Sequence, residues 1–265
     1  MRQQVWARAA LVMGVFLTIY GGKAVLAGAP FVDTFEDLNH QDGNPVTWSR
    51  YPAPFDDGTV QSINGDLVIT PGNTLIPGFV QYYETDVVVE DRLYHDVDIH
   101  AIARAQSSSL SVFGVGALDT FFTSGTSGIG LSGYIRSDLK ELGMNMITDD
   151  VTTNLGLKTL SFDQYQGDVH LRLRVQGAKA TVTAWLDGTV EPAPQISVTL
   201  PSSLQNVEGR VGIFAGSSTT KVATAFRSVA VVPEPSSSLV VGAFLLLPAW
   251  RRRLPDRKLL TGREQ

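Results

Sequence analysis

The stretch "ETDVVVE" holds Glu84, Asp86 and Glu90 within seven residues. Carboxylates at even spacing along an extended strand fall on one face, where two of them can share the work of hydrolysis. One carboxylic acid protonates the leaving oxygen, and one carboxylate attacks or activates water. Glycosidic cleavage needs such a pair about 5 Å apart for retention and under about 10 Å apart for inversion. Glu84 and Asp86 stand in the relation such a site uses. Glu90 does not, since six residues at about 3.3 Å each carry it roughly 20 Å from Glu84. The three acids do not make one catalytic set, and the run reads as a solvated strand face.

Other catalytic patterns are missing. "TSGTSGIG" lacks the Gly-x-Ser-x-Gly elbow and reads as a loop. His40, His95, His100 and His170 have no metal-ligand spacing and read as surface or edge residues. With no cysteine there is no disulfide, thiolate metal site or cysteine nucleophile. The expectation is a protein that is not an enzyme, with no catalytic residue and no metal ligand assigned.

Sugar binding needs an exposed aromatic face with polar groups beside it. In "KATVTAWL" Trp185 alternates out of phase with Val182, Ala184 and Leu186, which puts it on the face of Thr181 and Thr183. Trp185 and Thr183 are the first candidates for a glycan contact, followed by Trp48 and Tyr51 in a Pro-rich segment. Tyr82 and Tyr83 point to opposite faces, so only one of them can meet a given ligand.

These residues must be positioned by strands. Between residues 30 and 232 apolar positions recur with period two, bounded by Gly, Asp, Asn and Pro. "GTVQSINGDLVIT" reads as a hairpin around Asn64-Gly65. In "DVDIHAIARA" Val97, Ile99, Ala101 and Ala103 share one face, and Asp98, His100, Ile102 and Arg104 the other. "DVHLRLRVQGAKATVTAWLDG" reads as a long amphipathic hairpin with Val169, Leu171, Leu173 and Val175 on its inner face. "GRVGIFAG" and "VATAFRSVAVV" supply two closing strands. The one segment with helical spacing is "IRSDLKELGMNM", Ile135 to Met146, expected to form a turn or two of helix. Ten or more short strands imply an antiparallel two-sheet sandwich.

Composition agrees with one sizeable domain: 265 residues, 43% hydrophobic and 18% charged. Net charge is −5, yet residues 28 to 232 hold 12 basic against 23 acidic side chains, because nine basic residues lie in the terminal segments. Such a domain repels a phosphate backbone, so nucleic acid is set aside as a partner.

The ends read as addresses. Arg2 and Arg8 precede an apolar run from Ala9 to Tyr20, with Val25 and Ala27 at small-residue cleavage positions, so residues 1–27 are expected to be a helical signal peptide for the Sec translocon. At the far end Pro233, Glu234 and Pro235 precede an apolar run from Leu239 to Trp250, then Arg251, Arg252 and Arg253. That run covers about 18 Å as helix, short of a bilayer core of about 30 Å. The arginines mark its cytoplasmic end.

This triplet, run and cluster together resemble the PEP-CTERM sorting signal of exported bacterial proteins. The resemblance implies an exosortase-type transpeptidase as partner, transient anchoring in the inner membrane through a short helix, and delivery to the cell envelope or beyond. On this reading residues 28–231 form the domain and 232–265 the sorting signal.

The domain resembles the concanavalin A-like or laminin-G-like jelly roll. The resemblance is carried by "FVDTFEDLN" with Trp48, by "NGDLVIT", by "LRLRVQGAKATVTAWLDG", and by "GRVGIFAG" with "AFRSVAVV". It implies a fold that hosts lectins, glycoside hydrolases, polysaccharide lyases and structural modules. It also implies an occasional calcium ion at the first and last strands, for which Asp33, Asp37, Asn39, Asp42 and Asn44 are candidates. Arg227 stands where relatives carry an acid, which argues against the ion, and no cofactor is assigned. The expected function is glycan or envelope-component binding without catalysis; the alternatives are a structural or adhesive matrix module, or a glycoside hydrolase or polysaccharide lyase.

Overall fold

Period-two alternation needs a partner layer for each apolar face, and the computed structural model supplies it by packing two antiparallel sheets face to face. The structure describes residues 26–50, 58–74, 82–106, 111–120, 128–149, 151–217 and 222–234. Residues 1–25 of the expected signal segment, Tyr51, Pro235 and the arginine cluster lie outside them, as does the expected anchor helix. The segment's last two residues, Leu26 and Ala27, form a short strand paired in parallel with Arg92 and Leu93.

Among the described residues eighteen strands follow in chain order: β1 Leu26–Ala27, β2 Phe31–Asp33, β3 Trp48–Arg50, β4 Thr59–Ile63, β5 Asp66–Thr70, β6 Gly72–Thr74, β7 Tyr82–Val89, β8 Arg92–Leu93 and β9 Val97–Ala105. Then come β10 Ser111–Asp119, β11 Ile129–Arg136, β12 Glu141–Thr148, β13 Val151–Thr159, β14 Val169–Gln176, β15 Lys179–Leu186, β16 Ile196–Thr199, β17 Arg210–Ser217 and β18 Thr224–Pro233. The front sheet runs β13-β12-β11-β10-β17-β7-β3, with β6 also on β7. The back sheet runs β16-β15-β14-β9-β18-β5-β4, with β2 also on β18. The chain crosses between the sheets after β2, β3, β5, β9, β13, β16 and β17 and between β7 and β9, and β10 meets β17 and β9 meets β18 although each pair is far apart in sequence. This is a jelly-roll sandwich.

The alternation read from sequence holds where it is cleanest. Val97, Ile99, Ala101 and Ala103 of β9 and Val169, Leu171 and Leu173 of β14 are fully buried. Between the sheets Phe113 meets Phe226 edge to face at 6.0 to 6.4 Å, as do Phe31 and Trp48. The β4–β5 hairpin turns at Asn64 and Gly65 with φ of 54° and 82°. Two left-handed residues in a row are what a type I′ turn demands, and Asn-Gly meets it at least cost.

The expected helix from Ile135 to Met146 is instead the hairpin of β11 and β12. Ile135, Leu142 and Met144 all face the core at period two, and the apparent helical spacing came from Leu139 in the turn, where it is 52% exposed. The turn closes through the Lys140 N–H on the Ser137 carbonyl at 3.4 Å.

Candidate functional site

A sandwich has two outer faces, and here they differ in kind. On the back sheet the outer face is filled by charge. Asp98 of β9 accepts from Arg172 Nε at 2.8 Å and from Arg174 Nε and Nη2 at 3.1 and 2.9 Å. Arg172 also holds Glu191 in the loop after β15 at 2.8 Å. Asp168 accepts from Arg104 Nε and Arg227 Nη1, both at 2.7 Å. Burial alone would raise the pKa of Asp98, but the two guanidiniums outweigh it and hold the carboxyl below its ordinary value.

Trp185 stands on this charged face, opposite His170. It is 8% exposed. His170 and His100 stack on its ring at 4.8 and 5.3 Å, and Thr183 beside it is 3% exposed. The indole that alternation placed outward is thus covered by two imidazoles, and neither Trp185 nor Thr183 offers a face to a sugar.

Trp48 is a core residue with no exposed surface. Its Nε1 donates to Asp33 Oδ2 at 2.8 Å and its ring lies against Phe31 and Phe35. It joined the candidates because its neighbouring prolines read as a loop, whereas β3 carries it between the sheets.

Of the four histidines read as surface or edge residues, two lie partly buried on the outer face of the back sheet. His100 and His170 sit on two central strands, with His100 Nε2 at 2.9 Å from His170 Nδ1 and His170 Nε2 at 3.0 Å from Asp187 Oδ1.

The residues proposed for calcium are engaged in turns. Asp33 Oδ1 accepts from the Phe35 N–H, Asp37 Oδ1 from Asn39, Asn39 Oδ1 from Gln41 and Asp42 Oδ1 from Asn44. Arg227 occupies the closing strand as an ion-pair partner of Asp66 and Asp168. Among the described residues no group of three or more His, Cys, Asp or Glu is arranged to hold a metal.

The front sheet presents the other kind of face. On β7, Thr85, Val87 and Val89 point into the core and are fully buried, so alternation assigns positions 86, 88 and 90 to the outer side. Asp86 is directly opposite Phe214 of β17, Phe214 opposite Gly114 of β10, Gly114 opposite Tyr134 of β11, and Tyr134 opposite Gly143 of β12. The next rung reads Val88, Gly212, Gly116, Ser132, Asn145 and Asn154.

Glycine at alternate positions leaves bare backbone on this side, and aromatic rings lie down on it. A Cβ at Gly114 would come closer than 3.0 Å to the Phe214 ring, and one at Gly143 closer than 3.0 Å to the Tyr134 ring. Gly116 is open, its added Cβ meeting only the Leu131 carbonyl at 3.9 Å. Tyr134 hydrogen-bonds Asn145 and Asn154 through its side chain, and burial pushes its phenol pKa up. Phe214 remains half-buried. The result is a row with an acid, an aromatic ring, amides and exposed backbone side by side.

Sequence reasoning found the acids of this face and missed Phe214, Tyr134 and the glycines. The signal was present: glycines two apart in "FGVGALD", and four apart on either side of Phe214 in "GIFAG", mark one face of a strand with few side chains, which happens where rings or a ligand approach closely.

No protein-family model and no curated protein sequence matches the chain. Solved structures do. A glycosidic hydrolase matches with a TM-score of 0.57 at 14% identity over 80% of this chain and 99% of its own. A prokaryotic β-1,3-1,4-glucanase (lichenase) derived from a mouse hindgut metagenome gives 0.56 at 12%, over 78% and 100%. The VIP36 exoplasmic/lumenal domain in its Ca2+-bound form gives 0.51 at 12%, over 78% and 91%. At such identities the likeness establishes the fold alone, a concanavalin A-like jelly roll. It also corrects the expectation that the chain is not an enzyme, because structures sharing this fold nearly from end to end are glycoside hydrolases.

Proposed function

We propose that the protein is an exported glycan-cleaving enzyme whose substrate lies across the outer face of the front sheet, with Asp86 and its strand neighbour Glu84 as the carboxylate pair. One observation carries the reading: Asp86, Phe214, Gly114, Tyr134 and Gly143 are consecutive partners across five strands. A sugar ring needs an apolar surface for its C–H side and polar groups at its rim; half-buried Phe214 offers the first, and Asp86, Ser132 and Asn145 the second, while Tyr134 is buried beneath them. Backbone positions 84 and 86 lie about 7 Å apart along the strand, and an inverting mechanism calls for two carboxyls about 6.5–9.5 Å apart. One carboxyl would protonate the glycosidic oxygen while the other activates water from the opposite side of the ring. The glycoside hydrolases that share the fold support the same reading.

The terminal segments support export through the Sec translocon, transient membrane anchoring, and processing at Pro233, Glu234 and Pro235 by an exosortase-type transpeptidase at the cell envelope.

The test is reducing-end release from a panel of neutral and acidic polysaccharides. Asp86→Asn and Glu84→Gln should each lower the rate by about 10²-fold or more while the protein stays folded. Background release from every polysaccharide, or release that survives both substitutions, would sink the proposal.

A further inference from the structure

The last residues of the sandwich are held in place by charge. β18 ends at Pro233, which pairs with Val97 of β9. The N–H of the next residue, Glu234, donates to the Asp96 carbonyl at 3.1 Å, and its carboxylate lies 3.2 Å from Arg174 Nε. Arg174 is fixed in turn by Asp98, Asp98 by Arg172, and Arg172 by Glu191. Glu234 is therefore the end of a chain of alternating charge across the back sheet, and its side chain is 18% exposed. Two residues of the Pro-Glu-Pro triplet are built into the folded body instead of standing on a free linker.

We infer that this end of β18 is a latch on the C-terminal segment. An enzyme that binds Pro233, Glu234 and Pro235 together reaches the first two only after Arg174 releases Glu234 and Pro233 leaves β9. The inference rests on the sorting reading above, and it names the regulation of that step. Its physical basis is competition for one strand edge. A peptide read in extended form uses its backbone hydrogen bonds on the enzyme, and here the Glu234 N–H is already engaged by the Asp96 carbonyl just before β9. The latch is weak by design of its parts. Proline brings no N–H to the ladder, so the final rung depends on a single N–H and one half-exposed ion pair. Processing then follows the rate at which this strand end frays.

Two measurements on the full chain test this. The first is hydrogen exchange at the Glu234 amide. Arg174→Gln should speed exchange about five-fold, and Arg174→Lys, which keeps the charge, should stay within two-fold of the parent. The second is removal of the C-terminal segment in cells carrying an exosortase, followed by mass, where Arg174→Gln should raise the rate by the same factor. Unchanged exchange in Arg174→Gln overturns the latch. Faster exchange with unchanged processing overturns its role as a gate. A parent chain that such cells never process overturns the sorting reading and the gate with it, while exchange still reports whether Arg174 holds the strand end.

Discussion

Phe214 lies on Gly114. The two are direct partners across β17 and β10, and a Cβ at Gly114 would come closer than 3.0 Å both to the phenyl ring and to the Gly133 carbonyl. Gly114→Ala must therefore displace backbone as well as a ring, and should cost about 2 kcal/mol in urea unfolding.

Gly116, two residues along the same face, is the opposite case. Its added Cβ meets nothing nearer than 3.9 Å, so Gly116→Leu should keep stability within about 1 kcal/mol of the parent. The same side chain would stand in the open rung beside Phe214. Loss of polysaccharide cleavage in a stable Gly116→Leu protein is the expected result. Full activity would move the substrate off this face.

Much of the framework could be read from the sequence and much of the site could not. β9, β14 and β15 were legible because each has one wholly apolar side, and the Asn64-Gly65 turn because only a few residue pairs tolerate its backbone. β11 and β12 were misread since Leu139, in their turn, falls at a helical interval from Ile135 and Leu142. The acids of β7 were visible as a local run. Phe214 and Tyr134 were not, for they reach Asp86 only through the order β11-β10-β17-β7, which places side by side strands that are distant along the chain. Trp185 was placed on the correct side of its strand, but alternation cannot say that two histidines from neighbouring strands will cover it.

Asp98 concentrates the charge of the back sheet. Asp98→Asn keeps the shape but leaves two guanidiniums facing a neutral amide. The arginine side chains are 26% and 39% exposed, so water recovers part of the loss, and about 2 kcal/mol at pH 7 is expected. Because Asp98 has its pKa lowered in the folded protein, its contribution is present above pH 3.8 and is lost as pH falls through the folded value. The difference between parent and Asp98→Asn in chemical denaturation should shrink at pH 3. A difference that grows there would contradict the assignment.

His100 should set a second, milder pH dependence. Asp187 accepts from His170 Nε2, which leaves His170 Nδ1 as the acceptor for a proton on His100 Nε2. Protonating His100 puts a cation against His170 and near Arg172, inside a stack with Trp185 and with only Asp98 and Glu191 to offset it. Burial first, then these two neighbours, lower its pKa from 6.5 to about 4. The folded state therefore binds fewer protons than the unfolded chain between those values. Stability from the neutral ring is complete above pH 6.5 and falls as pH drops toward 4. The ring is partly exposed, so a loss of about 1–2 kcal/mol is expected. His100→Gln can still donate to His170 and cannot titrate. Unfolding free energies at pH 7 and pH 4.5 should differ more in the parent than in His100→Gln, and equal pH dependence in the two proteins would show that the imidazole pair carries no such load.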